Sequence, residues 1–264
     1  FAGSSVVHMV GGLVGLAGAI VIGARIGKYK KDGTPTAIPG HSIPLAFLGT
    51  FILAFGWFGF NAGSTLAAMD TRIALVAANT MIASATGAFF AMLYTWWKNG
   101  FPDAGMCANG MLAGLVAITA PCAFVSSMDA FIIGAIAGVL VILSVWFFEW
   151  NLKVDDPVGA VSVHGTNGLW GIIAVGIFAN GTYGDGINGI AGPVRGILYG
   201  GGAGQLIAQI IGGITVIIWA FGLSYVFFKV MDKFVPMRVH PDDEVAGLDR
   251  SEMGKVLAYP RDLR

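Results

Sequence analysis

Two histidines stand in apolar surroundings, and they stand in matching ones. VHMVGGLVG, residues 7 to 15, and VHGTNGLWG, residues 163 to 171, share the pattern V-H-x-x-x-G-L-x-G without a gap, and Gly3 and Gly159 align as well. A neutral imidazole carries one donor and one acceptor nitrogen, so His8 and His164 can bond to each other and still offer an outer nitrogen to a passing molecule. An ionisable residue inside an apolar span is costly and marks a pathway or a partner. The plainer alternative is a histidine that only bonds a neighbouring helix. His41 and His240 lie in polar segments and read as solvated surface residues.

The elements that carry these side chains follow from composition. The chain is 56% hydrophobic and 11% charged, with 40 glycines and a mean hydropathy of +0.76, far outside the range of soluble domains. It reads as an all-α integral membrane protein. A hydrocarbon core of roughly 30 Å takes about 20 apolar residues per helix. Seven stretches qualify, near 1–24, 43–64, 73–97, 104–125, 130–148, 158–180 and 204–228, and none contains Asp, Glu, Lys or Arg. Net charge is zero, which gives no basic patch for nucleic acid, and Cys107 and Cys122 fit neither a disulfide framework nor a metal spacing. The chain opens at Phe1 directly in an apolar segment, without a charged leader or cleavage site, and reads as the later portion of a longer polypeptide.

Basic residues set the orientation. Arg25, Lys28, Lys30, Lys31, Lys98, Lys153, Lys229, Lys233 and Arg238 fall on one side, against Arg72 and Arg195 on the other. The basic side is therefore expected in the cytoplasm, with the polar tail 229–264. The first span then runs inward and the sixth outward. Similar segments in opposite directions are what an inverted-topology repeat predicts, with the transport site at the repeat interface. No span offers a carboxylate to offset an unpaired cation, whose burial penalty is on the order of tens of kcal/mol, so a small neutral passenger fits better. Small-residue spacings such as Gly11 to Gly15 and Gly134 to Gly138 predict closely apposed backbones.

Longer motifs carry a resemblance. FAGSSVVHMVGGLVGLAGAIVIGAR (1–25), GWFGFNAGS (56–64), DDPVGAVSVHG (155–165) and GLDRSEMGKVLAY (247–259) resemble the Amt/Mep/Rh ammonium transporter family, in that order along the chain. The resemblance implies the fifth to eleventh helices of an eleven-helix, Amt-type inverted-repeat fold, divided into a transmembrane domain, residues 1–228, and a cytoplasmic tail, residues 229–264. It implies a non-enzymatic homotrimer in the plasma membrane, needing no cofactor or metal, with a pore in each protomer. His8 and His164 match the paired pore histidines, Ser64 the serine that recruits ammonium, Phe60 one of two gate phenylalanines and Trp57 a pore tryptophan. Ammonium then loses its proton and crosses as ammonia. By spacing alone, Trp57 and Phe60 read as helix packing and Ser64 as a cap, and Asn61, Asn79, Thr119 and Asn167 as bonds across helices. Two departures stand out: Gly159, where some members have an Asp five residues before the second histidine, and Met253, where many tails have a His. The tail is expected to meet a trimeric PII-type signalling protein such as GlnK. Two other roles fit a pair of buried histidines or this family: a bis-His haem electron carrier, and an ammonium sensor with little flux.

Overall fold

A computed structural model describes residues 1–252, apart from the Arg250 side chain; the rest of the tail motif, Met253 included, lies outside the described residues. The fold is helical, with no strand among the described residues. Among the described residues, six helices are long and apolar enough to cross a membrane: α1 (Ser4–Ile22), α2 (Ile43–Ala62), α3 (Arg72–Asn99), α5 (Ser127–Asn151), α6 (Val161–Phe178) and α7 (Gly204–Phe234). The seventh apolar helix, α4, is shorter and spans Ala104–Thr119. Two short helices follow in the tail, α8 (Pro241–Ala246) and α9 (Leu248–Ser251).

The elements differ from the sequence reading chiefly at their ends. The apolar stretch 104–125 is helical only to Thr119 and finishes as a turn. Pro121 cannot continue the helix. The turn is instead held by Asn79 of α3, whose amide donates to the Cys122 and Val125 carbonyls at 3.0 and 2.9 Å and accepts from the Ser127 hydroxyl at 3.0 Å. Helices α3, α5 and α7 run past their apolar cores and take charges into their terminal turns. Asp129 is one of these, buried at the start of α5 in a capping box with Ser126 and accepting from the Tyr199 hydroxyl at 2.9 Å.

The core lies among α3, α4, α5 and α6, where Val76, Leu115, Val116, Ile118, Ile133 and Val141 are fully enclosed. Small residues let the backbones meet. A methyl on Gly134 would fall 2.6 Å from the Ala83 Cα, and one on Gly138 would run into the Gly87 carbonyl. Gly11 and Gly15, the other expected pair, have nothing near their Cβ positions. The glycine of α1 that packs is Gly12, against the backbone of Gly165 in α6.

That crossing defines the centre of the molecule. Ser4, at the start of α1, lies against Gly168 and Gly171 of α6; Gly12 meets Gly165; and Arg25, just past the end of α1, pairs with Asp155, just before α6. As α1 advances α6 recedes, so the two helices with the duplicated motif are antiparallel neighbours. Helix α7 crosses both on the outside, with Leu206 against Gly176 of α6 and Phe228 near Gly18 of α1.

Candidate functional site

The first turns of α1 and α6 are not ordinary α-helix. Residues Ser4–Met9 and Val161–Thr166 are π-helical, with one extra residue per turn, and each contains its histidine. Such turns are rare and recur at functional sites. Both follow an aligned glycine at positive φ, Gly3 at 145° and Gly159 at 75°. Left-handed backbone is accessible to glycine without steric cost. Gly159, where some family members have an Asp, turns the chain here, and Asp156 places a carboxylate at the helix entrance, accepting from the Ala160 and Val161 amides at 2.9 and 2.7 Å. Burial is the largest influence on that carboxyl and pushes it up.

The two imidazoles meet. His8 Nδ1 and His164 Nδ1 are 3.2 Å apart, with ring planes 22° apart and centroids separated by 5.3 Å. The centroid spacing exceeds the nitrogen contact by about the breadth of one ring, so the rings join edge to edge rather than face to face. One Nδ1 carries the proton and the other receives it, so a neutral pair consists of opposite tautomers. Their outer nitrogens then differ: one is an acceptor, the other a donor. His8 Nε2 is buried and has no hydrogen-bond partner among the described residues.

Aromatic rings close one side. Trp57 stacks on His8 with centroids 5.0 Å apart and planes within 14°, and Phe60 meets the same imidazole edge-on at 5.4 Å. Trp57 and Phe60 are themselves perpendicular neighbours at 6.0 Å. The indole N–H donates to the Thr119 hydroxyl at 2.9 Å, which donates to the Leu115 carbonyl at 2.6 Å. Thr119 is thus a supporting residue that spacing alone left as an ordinary interhelical contact. Phe60 lies in a third π-helical turn, Phe58–Ala62, at the end of α2.

Ser64 lies beyond this turn. Its hydroxyl donates to the Phe60 carbonyl at 2.5 Å, and its own carbonyl accepts from the Asn188 amide at 2.8 Å. With its proton given to Phe60, the Ser64 hydroxyl oxygen keeps its lone pairs for an incoming N–H donor. Phe60, Trp57 and His164 thus gather around His8, and Ser64 is tied to the cluster through the Phe60 backbone carbonyl. Asn61 bonds Thr80 across the α2–α3 contact at 3.0 Å, while Asn167 turns back on its own helix to the Ser162 carbonyl at 2.9 Å.

The basic end is laced with ion pairs. Arg25 donates to Asp155 through its backbone N–H and two guanidinium nitrogens at 2.8 to 2.9 Å. Burial works to raise the Asp155 carboxyl, but these bonds outweigh it and hold the group below the usual carboxylate range. Lys28 pairs with Glu149. From the tail, Glu244 accepts from the Ile26 amide at 2.7 Å and pairs with Arg238, which also donates to the Ile22 carbonyl. The first described portion of the tail is thereby folded against the end of α1.

Comparison with known proteins identifies the family. Residues 1–258 match the family model described as Ammonium Transporter Family. Ammonium transporter Amt2 of Archaeoglobus fulgidus is 50% identical over 98% of this chain and 55% of its own length, and ammonium transporter 3 of Dictyostelium discoideum is 38% identical over 96% and 59%. Among solved structures, one described as a sensor Amt protein superposes with a TM-score of 0.86 at 41% identity, covering 96% of this chain and 59% of that one. Mep2 of Candida albicans does so with a TM-score of 0.82 at 29% identity, covering 92% and 53%. The chain thus spans rather more than half the length of these relatives. On the match of nearly its whole length to the family model, with helical architecture in agreement, this chain belongs to the ammonium transporter family.

Proposed function

We propose that the protein to which this chain belongs conducts ammonia derived from ammonium, and that His8 and His164 line the conduit. The observation that carries this reading is the Nδ1 to Nδ1 bond with a buried, unpartnered His8 Nε2 beside Trp57 and Phe60. Ser64 recruits ammonium by accepting an N–H bond, which potassium cannot supply. The Phe60 ring adds a cation–π attraction of roughly 0.5–2 kcal/mol, and Trp57, stacked on His8, lines the pore beyond it. Past the rings the apolar interior disfavours an unpaired cation, so ammonium gives its proton back to water on the vestibule side, and neutral ammonia moves on to the histidines. Ammonia then accepts from one outer imidazole nitrogen and donates to the other.

The same reading extends to a homotrimer in the plasma membrane, with a transmembrane domain over residues 1–228, a cytoplasmic tail over 229–264 and a PII-type protein docking on the cytoplasmic face. Helix α7 itself runs on to Phe234, carrying Lys229, Asp232 and Lys233 in its last turns. For a bis-His haem carrier, nitrogens would face an iron from opposite sides; here they face each other at hydrogen-bonding distance. The sensor reading retains support from the 41% identical neighbour described as a sensor. Flux separates the two. In liposomes holding the full-length protein, ammonium should cross and potassium should not, and His8→Ala and His164→Ala should lower the flux or relax that selectivity. Both variants behaving as wild type would refute the pore assignment; a folded wild type with negligible flux would favour a sensor.

A further inference from the structure

A buried serine on a different helix touches neither histidine but grips the turn that carries one of them. Ser144, in the interior of α5 and 7% exposed, donates from its hydroxyl to Ser162 Oγ at 2.9 Å and lies 2.7 Å from Thr166 Oγ1. A hydroxyl has one proton, so with that proton given to Ser162, Thr166 is the donor to Ser144. Ser162 and Thr166 flank His164 two residues to either side, on the face of α6 turned away from the imidazole. Both belong to the π-helical turn Val161–Thr166.

The turn is also closed along its own helix. The Ser162 carbonyl accepts both the Asn167 backbone N–H and the Asn167 side-chain amide. The first of these is the five-residue bond that defines a π turn, and the second reinforces it. Without such support the extra residue would be expelled and the segment would tighten to α-helix. Tightening from a π turn to an α turn raises the rotation per residue, so His164, inside the turn, would swing relative to the helix that follows. His164 would then leave His8. The turn bearing His8 is held in a comparable way by a different residue: Ser4, fully buried, donates to the Val116 carbonyl and accepts from the Ala120 amide of the α4 end, both at 2.7 Å.

We infer that Ser144 is a positioning residue, whose hydroxyl, through Ser162 and Thr166, keeps the π-helical turn of α6 in register so that His164 Nδ1 faces His8 Nδ1. The role in conduction rests on the proposed function of the histidine pair, whereas the positioning itself does not. The test uses full-length protein in lipid, labelled with 15N-histidine, and reads the nitrogen–nitrogen coupling across the imidazole bond by NMR. Wild type should show it. Ser144→Ala should lose it, Ser144→Thr should restore it, and Thr166→Val, a milder change that removes one arm of the clasp, should weaken it. Retention of the full coupling in folded Ser144→Ala, or in Thr166→Val should the first variant not fold, overturns the inference, as does its absence from wild type. Coupling lost while ammonium flux stays at the wild-type level would uphold the positioning role and refute the pore role of the pair.

Discussion

The contact between α1 and α6 can be broken with one methyl group. A Cβ added at Gly12 would lie 2.6 Å from the Gly165 Cα and 2.9 Å from the His164 carbonyl carbon, with the Gly165 nitrogen closer still. Ordinary contact begins near 3.4 Å, so relief of the Cα clash alone requires 3.4 − 2.6, about 0.8 Å of separation. All of the offending atoms are backbone, and no rotamer can absorb the shift. Carried to the histidines, 0.8 Å takes the 3.2 Å Nδ1 contact to about 4.0 Å, beyond hydrogen-bonding range. Gly12→Ala should therefore lose the imidazole bond and destabilise the full-length protein by about 1–3 kcal/mol, the usual cost of overpacking. Gly165→Ala is the control. Its Cβ would meet Gly12 at 3.8 Å, an ordinary contact, and alanine is the better helix former by roughly 1 kcal/mol. Thermal unfolding in detergent and ammonium flux in liposomes read both variants. Equal behaviour of the two, or a Gly12→Ala protein with wild-type stability and flux, would refute the crossing geometry.

Three further outcomes follow from buried polar contacts. Thr119→Val leaves the Trp57 indole N–H enclosed without an acceptor and should lower stability by about 1–3 kcal/mol; Trp57→Phe should cost less in that background than alone, as a double-mutant cycle of unfolding midpoints would show. Asn79→Leu strips two carbonyls and a hydroxyl of their partner at the end of α4 and should cost about 2 kcal/mol or more, measured the same way. The Asp155 carboxyl is held below its unfolded value, so the Arg25 pair contributes stability above about pH 4 and loses it as pH falls through the depressed value. The wild-type unfolding temperature should drop on acidification from about pH 5 to pH 3, and Asp155→Asn should flatten that portion of the curve; parallel curves for the two proteins would contradict the assignment.

The spans were legible because a bilayer imposes one length on every helix that crosses it, and the histidine pair because the same nine-residue pattern occurs twice. What escaped was phase. Counting four-residue spacings picks Gly11 and Gly15, yet Gly12 makes the contact, because spacing finds small residues on one face and does not say which face meets the neighbouring helix; nor does anything in SSVVHM announce the π-helical turn at His8. Thr119 and Ser144 were missed for a related reason. A hydroxyl inside a span signals only that it has a partner, and which ring or which turn that partner belongs to is set by the tertiary crossing. Ser64 was ambiguous between a cap and a recruiting group, and the direction of its proton, toward the Phe60 carbonyl, is a property of the folded turn.

The imidazole bond is a consequence of the α1–α6 pairing and cannot be its cause. A single neutral hydrogen bond contributes about 0.5–1.5 kcal/mol net, too little to hold two antiparallel helices in register. Three other contacts along the same line fix the pair more firmly: Ser4 wedged against Gly168 and Gly171, Gly12 on the Gly165 backbone, and the three-bond tie of Arg25 to Asp155. The first sets rotation near the histidines, the second the distance between axes, and the third the offset along them. His8→Ala and His164→Ala should therefore keep the helix pairing and unfold within about 1–2 kcal/mol of wild type, apart from the volume removed. Changes in flux or selectivity in those variants then report on the chemistry of the imidazoles, whereas Gly12→Ala reports on the frame that brings them together. A His8→Ala protein that failed to assemble would show that the frame depends on the bond after all.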